Sequence, residues 1–342
     1  MVPNKNKVKI LIVTGIYPPE VGGPSEYAKN LKDTWSSQGY EVSVRIFSRF
    51  NFLPTGIRHL VYFCYILPAV WRADFVFALD TFSAAMPSVL ATRMLGKKII
   101  LRTGGDFLWE LYVERTGELV LLKDFYQTCI ERFSAKERKV FKLIKFVLQN
   151  VDAVAWSTEW QRGIFMEPYS LSKQRHFIVE NYYGPKIQSY PPVRKNFVAG
   201  ARPLKWKNGA RLRRVFEREE VRDASLELDM NTIPHGQFLE KIQHAYAVIM
   251  PTLGDISPNT ILDSIRANKP FILTQETGFY DKLKDVALFV DPESEADMAG
   301  KVLYLANQTN YELQKRKVEN FTFTHTWEDI GREFITIYKN IK

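Results

Sequence analysis

The chain has 342 residues, 46% hydrophobic and 25% charged, an ordinary globular balance that excludes a disordered or low-complexity protein. That length exceeds what one compact core holds and fits two domains of roughly 150 to 190 residues. With 47 Lys and Arg against 38 Asp and Glu the formal charge is +9, which favours an anionic partner; the two separated cysteines, Cys64 and Cys129, argue against a disulfide framework and against a zinc site.

At the N-terminus, lysines and a short apolar run end at Tyr17-Pro18-Pro19, too short for a signal segment, and the expected location is the reducing cytoplasm. Residues 8–13 read as a buried strand, followed by a loop with Gly22 and Gly23 and a helix over about 25–38 that Gly39 stops. Residues 41–47 and 75–79 read as strands. Between them, Leu60 to Trp71 is apolar but only 12 residues long and contains Pro68, so it cannot span a bilayer. It reads as a buried helix in preference to a membrane contact. A helix over 83–95, stopped by Gly96, and a strand over 97–102 follow. Strands alternating with helices imply a parallel sheet covered on both faces.

A long helical region is expected over 124–149. In it Ser134 and Glu137 form a capping box, and Val140, Leu143, Ile144 and Val147 recur at helical spacing beneath a basic face. That face is either simply solvated or a patch for an anionic membrane surface. A strand at 153–156, a helix capped near Ser157 and Thr158, and a strand at 176–180 come next. Residues 181–195, with three prolines and a glycine, break every periodicity and set a domain boundary near residue 186. The alternation then restarts, with strands at 196–200, 225–229, 245–251, 270–274 and 287–291. Helices fall at about 208–220, 238–244, from near Pro258, briefly after 274, and at 294–307. Room for only one helix between Gly209 and Leu226 makes this domain the smaller. An amphipathic helix closes the chain over 325–342. The expected class is α/β, with two doubly wound Rossmann-like domains, 1–185 and 186–320, facing a cleft at their strand carboxyl ends, and a closing segment over 321–342.

Four stretches carry chemistry. Gly22-Gly23-Pro24-Ser25 ahead of a helix offers permissive backbone, a proline suited to the first turn and bare amide donors. That suits an anion or a sugar, although Gly-Gly-Pro also builds ordinary turns. The spacing matches neither a nicotinamide site nor a P-loop. Arg102, Thr103, Gly104, Gly105 and Asp106 follow a strand, where parallel sheets bind ligands; Asp106 is either an acid that orients or deprotonates a hydroxyl, or a cap for the next helix. Arg202, Lys205 and Lys207 stand between a strand and a helix, where they suit a diphosphate or are merely solvated. Asp255 and Asp263 flank Ser257-Pro258-Asn259-Thr260. Eight residues leave two positions roughly 80° apart on a helix, so Asp255 is expected in the loop and Asp263 inside the helix.

Together, "YPPEVGGPSEYAKNL" (17–31), "RPLKWKN" (202–208), "PTLGDISPNTILDSIRANKPFI" (251–272) and "FTHTWEDIGREFITIYKNI" (323–341) resemble the glycosyltransferase family 4 group of the GT-B fold, over nearly the whole chain. The resemblance implies a retaining, metal-independent enzyme without a cofactor. It would move a sugar from a UDP- or GDP-linked donor on the C-terminal domain to a hydroxyl of a glycan or lipid-linked acceptor on the N-terminal one, in cell-surface polysaccharide or glycoconjugate synthesis. Gly22, Gly23, Arg202, Lys207, Asp255, Ser257, Pro258, Asn259, Thr260 and Asp263 would bind the donor. Thr103, Gly104, Gly105 and Asp106 would form the acceptor-side loop. Asp106, Asp255, Arg202 and Lys207 would be catalytic, with Asp255 on the donor sugar and Asp263 on the ribose. Family members carry Glu at both acidic positions, and many carry a histidine where Thr-Gly-Gly-Asp stands here. The last helix would cross back onto the N-terminal domain. A nucleotide-sugar epimerase finds no matching acid and histidine set, and no nucleic-acid partner is expected. The shortened second domain and the paired Glu-to-Asp changes also permit a catalytically weak nucleotide-sugar-binding subunit that serves a partner enzyme.

Overall fold

The computed structural model describes residues 7–20, 22–172, 175–200 and 203–341; Arg202 lies outside the described residues. Packing divides the chain into two units, one of Met1–Leu108, Arg132–Tyr182 and His325–Lys342, the other of Trp109–Glu131 and Tyr183–Thr324.

The first unit is built on six parallel strands: β1 (Lys9–Thr14), β2 (Glu41–Ile46), β3 (Phe75–Ala78), β4 (Lys98–Thr103), β5 (Ala153–Trp156) and β6 (His176–Ile178), in the order β2-β1-β3-β4-β5-β6. The central strands are buried along almost their whole length, which is why they read as unbroken apolar runs. Alternation along each strand assigns the faces. Ile10, Ile12, Phe75, Phe77 and Ile100 meet helices Gly23–Ser37 and Trp327–Ile341 in one core. On the opposite face, helices Thr55–Arg72, Ala85–Leu95 and Ala135–Asn150 lie side by side. Trp35 centres the first core: its Nε1 donates to the Gly331 carbonyl at 3.1 Å, and its ring meets Phe77 edge-on at 5.4 Å.

In the second unit, β7 (Asn196–Ala199), β8 (Glu227–Asp229), β9 (Ala247–Met250), β10 (Phe271–Thr274) and β11 (Leu288–Val290) form a five-stranded parallel sheet in the order β11-β10-β9-β7-β8. Helices His235–His244 and Asn259–Arg266 pack on one face, and Gly209–Glu217 and Glu295–Ala306 on the other.

Several expectations change. The region 124–149 is two helices, Phe125–Cys129 and Ala135–Asn150, because the Ser134–Glu137 capping box starts a new helix from an extended residue. In that box Glu137 N donates to Ser134 Oγ at 3.3 Å, and Ser134 N to Glu137 Oε2 at 2.8 Å. The helix expected over 208–220 breaks at Arg218, whose ψ of 140° is extended, into Gly209–Glu217 and the short Glu219–Asp223. Helices Phe107–Thr116 and Gln308–Asn320 were not foreseen; the second is started by Asn307 Oδ1, which accepts from the Thr309 and Asn310 amides. Leu60 to Trp71 belongs to Thr55–Arg72, which buries only one side; Leu60 and Trp71 are exposed. A boundary near 186 would leave Trp109–Glu131 in the first domain, yet this segment packs within the second unit. Trp109 lies against Trp206 with ring centroids 5.4 Å apart, and Leu122 N donates to the Leu253 carbonyl at 3.1 Å.

Two substitutions test this packing. Trp35→Ala should cost about 3–5 kcal/mol and raise amide exchange across Trp327–Ile341 while leaving Gln308–Asn320 protected; equal exchange in both helices would contradict it. At Gly254 an added Cβ would stand 2.5 Å from the Leu122 Cβ, so Gly254→Ala should destabilise by about 1–3 kcal/mol and speed tryptic cleavage at the exposed Arg115. Cleavage at the parental rate would show that Leu122 does not hold its segment.

Candidate functional site

In the second unit, four loops converge at the carboxyl ends of parallel strands. The first follows β9: Pro251 to Pro258 leads into helix Asn259–Arg266, so Asp255 sits in the loop and Asp263 within the helix. The second follows β10, and the two are tied by backbone. Asp255 N donates to the Glu276 carbonyl at 2.9 Å, and Gly278 N donates to the Asp255 carbonyl at 3.2 Å. The third is the single turn Lys205–Lys207, joined to the first by Leu253 N donating to the Trp206 carbonyl at 3.0 Å. The fourth is the end of Trp109–Glu131, where Lys123 Nζ meets Glu276 Oε1 at 2.6 Å.

This framework brings Lys207 and Asp255 together. Lys207 Nζ is 3.5 Å from Asp255 Oδ2 and 4.1 Å from the centre of the Trp206 ring, and both charged side chains are largely buried. An ammonium held over an indole face beside a carboxylate is a fixed positive charge of the kind that stabilises a phosphate. Lys205, by contrast, turns away: its Nζ donates to the Glu114 carbonyl at 2.8 Å and its amide to Glu114 Oε1 at 2.6 Å.

Asp263 has two basic neighbours, His235 Nε2 at 3.0 Å and Arg266 Nη1 at 3.2 Å. Ser257 Oγ and Thr252 Oγ1, in the loop between β9 and that helix, are buried and have no hydrogen-bond partner among the described residues. Pro258 precedes the helix, Asn259 and Thr260 form its first turn, and the Pro258 carbonyl accepts from the Ile261 and Leu262 amides.

Glu276, Lys123, His235, Trp206 and Arg266 were not singled out from the sequence. Glu276 stands two residues beyond an apolar strand, and an acid just after a strand is the signal that drew attention to Asp106, so it could have been found in the same way. Arg266 stands three residues after Asp263, a spacing that could have marked it; His235 offers no such signal, because its partner lies on another helix.

In the first unit the candidate residues also gather at strand carboxyl ends. Arg102, at the end of β4, is buried: its Nη2 donates to Ser157 Oγ at 3.0 Å and to Asn181 Oδ1, and the guanidinium lies 4.1 Å from the centre of the Tyr27 ring. Burial draws the Arg102 pKa down from its ordinary value and pushes the Tyr27 hydroxyl up to about 12. A Cβ at Gly104 would fall 2.4 Å from Arg102 Nη1, so glycine is what lets the guanidinium lie there. Thr103 Oγ1 donates to the Gly105 carbonyl at 3.0 Å. Asp106 is buried, and its Oδ1 accepts from the Leu108 amide at 3.0 Å, the helix-capping role weighed for it. The Gly22 carbonyl accepts from the Ser25 and Glu26 amides, and Gly23 begins helix Gly23–Ser37 with nothing within 4 Å of where its Cβ would stand. Asp80, after β3, was not singled out although it too follows a buried strand. Its carboxylate accepts from the Phe82, Ala84 and Ala85 amides, and burial raises its pKa against those bonds.

Among the described residues, no group of three or more His, Cys, Asp and Glu side chains is arranged to hold a metal ion.

No protein-family model matches the sequence, and no curated protein matches it. Solved structures do match. Sucrose-phosphate synthase from Thermosynechococcus elongatus superposes with a TM-score of 0.67 at 10% identity, covering 98% of this chain and 99% of the other. WaaG, a glycosyltransferase involved in lipopolysaccharide biosynthesis, gives 0.66 at 11% identity, with 96% and 99% covered. Anabaena HepE, solved in complex with UDP and glucose, gives 0.62 at 11% identity, with 98% of each chain covered. Two Rossmann-like parallel α/β units and full-length superposition identify the architecture of this chain as the GT-B fold.

Proposed function

We propose that the chain is a retaining glycosyltransferase of the family 4 type, moving a sugar from a UDP- or GDP-linked donor to a hydroxyl of a glycan or lipid-linked acceptor. The observation that carries this reading is Lys207, buried against Trp206 and 3.5 Å from Asp255 at the strand carboxyl ends of a GT-B unit, with Asp263 in the helix that follows. The second unit then binds the donor and the first the acceptor. Asp255 takes sugar hydroxyls and Asp263 the ribose hydroxyls. Ser257, Asn259 and Thr260 supply hydroxyl and amide donors to the diphosphate, and Pro258 precedes the helix that presents the latter two. Thr103, Gly104, Gly105 and Asp106 line the acceptor side. The reaction takes place in the cytoplasm and serves cell-surface polysaccharide or glycoconjugate synthesis.

In this chemistry the bond between the sugar C1 and the phosphate oxygen breaks while the acceptor oxygen bonds to C1 on the same face, and the acceptor proton passes to the departing phosphate. No protein nucleophile is then needed. Lys207 and Arg202 stabilise the charge that grows on the leaving diphosphate, and neither a metal nor a cofactor enters the scheme.

The reading is tested by nucleotide release from UDP- and GDP-sugars, with acceptor absent and then supplied, and by the anomeric configuration of the product. Lys207→Met should lower kcat by about a hundredfold and change donor KM less. Asp263→Ala should raise donor KM by about tenfold or more with the fold intact. Donor binding without release would instead support the nucleotide-sugar-binding subunit; an unchanged kcat in Lys207→Met would remove this lysine from the diphosphate.

A further inference from the structure

Helix Thr55–Arg72 is apolar on both sides. Tyr62, Ile66, Ala69 and Val70 face the core. On the other side Ile57, Leu60, Val61, Cys64 and Trp71 recur at helical spacing and remain exposed, Leu60 by 65% and Trp71 by 66%. On the adjoining helix Ala85–Leu95, Leu90 and Met94 extend the patch, Met94 being 60% exposed. From Ile57 to Trp71 the stripe runs roughly 20 Å. A helix that is hydrophobic all round is ordinarily buried, and a continuous exposed apolar patch of this kind marks an interaction surface.

Basic residues dominate the sequence of this layer, although Lys98 is paired with Asp152 at 3.1 Å. Between Glu41 and Asp74 the chain has no acidic residue but carries Arg45, Arg49, Arg58 and Arg72. Between Asp80 and Asp106 it again has none, and Arg93, Lys97 and Lys98 accompany the buried Arg102. The third helix of this layer, Ala135–Asn150, presents Lys136, Arg138, Lys139 and Lys142, and its one acid, Glu137, is buried in the capping box.

We propose that this three-helix layer of the first unit docks on an anionic lipid bilayer, with the Ile57–Trp71 stripe entering the boundary between headgroups and acyl chains and the flanking Lys and Arg on the lipid phosphates. Apolar area together with basic charge is what holds an amphipathic helix in that plane, and an indole at the end of the stripe suits the interface. A second copy of the chain on this face would set two basic rims against each other. Among the described residues no helix is long and apolar enough to cross a membrane, so the contact is peripheral. The inference rests on the first unit alone and does not depend on glycosyl transfer.

The test uses the full chain with vesicles of phosphatidylcholine, with and without phosphatidylglycerol. Cys64, the exposed member of the cysteine pair, carries an environment-sensitive fluorophore. The protein should sediment with the phosphatidylglycerol vesicles only, release at high salt, and show a blue-shifted Cys64 probe. The unlabelled double variant Leu60→Ser/Trp71→Ser should bind at least about tenfold more weakly, as should Lys139→Glu/Lys142→Glu, with thermal unfolding unchanged. Leu313→Ser, an exposed apolar position of the second unit, should bind as the parent does. Equal attachment to both vesicles, no attachment to either, or a concentration-dependent dimer that Leu60→Ser/Trp71→Ser dissociates would overturn the proposal.

Discussion

Asp255 is fixed by its main chain before its side chain acts. Its amide bonds to the carbonyl of Glu276 and its carbonyl to the amide of Gly278, so two loops leaving adjacent parallel strands move as one piece. Everything else in this cluster hangs from that bridge. The Glu276 carboxylate reaches Lys123, and this bond is the largest reason the Lys123 ammonium holds its proton above the ordinary range. The preceding Leu253 amide anchors the turn that carries Trp206 and Lys207. A charge pair 3.5 Å apart is positioned usefully only if both backbones are held, and here they are.

The two units use their strand ends differently. In the second, acids and bases stand in loops and on helices and are paired, with Lys207, Asp255 and Asp263 largely buried. In the first, the central feature is Arg102, a buried guanidinium held by a hydroxyl, an amide oxygen and an aromatic face, while its Nε has no hydrogen-bond partner among the described residues. Gly104 keeps that place open, and His325, from the closing segment, meets the Asn181 carbonyl at 3.2 Å, beside the arginine's own partner. The helix after it packs on Trp35, so the end of the chain supports the strand-end cluster of the first unit.

Much of this was legible in the sequence. Parallel strands buried on both faces leave unbroken apolar runs; β3, β5, β9 and β10 fall within the expected ranges, and β1 runs one residue past its own. The placement of Asp255 in a loop and Asp263 in a helix followed from angular spacing alone. What was missed depends on distant contacts. Nothing local marks Trp109–Glu131 as part of the second unit, because the information lies in Gly254, which leaves room for Leu122. Helix Gln308–Asn320 is mostly polar and gave little periodic signal beyond its Asn307 cap. The apolar stripe of Thr55–Arg72 misled in the opposite direction, since periodicity shows that a face is apolar and cannot show whether the protein covers it. Arg202 lies outside the described residues, and its role stands on the resemblance.

We propose that the second unit carries a nucleoside-diphosphate site built on Lys207, Asp255 and Asp263. The most direct measurement is calorimetric titration of the intact chain with UDP, GDP and ADP, with Lys207→Met and Asp263→Ala alongside. Saturable binding of one nucleotide in preference to the others, weakened in both variants, is the predicted result. Absence of binding to all three, or binding that both variants leave unchanged, would contradict it.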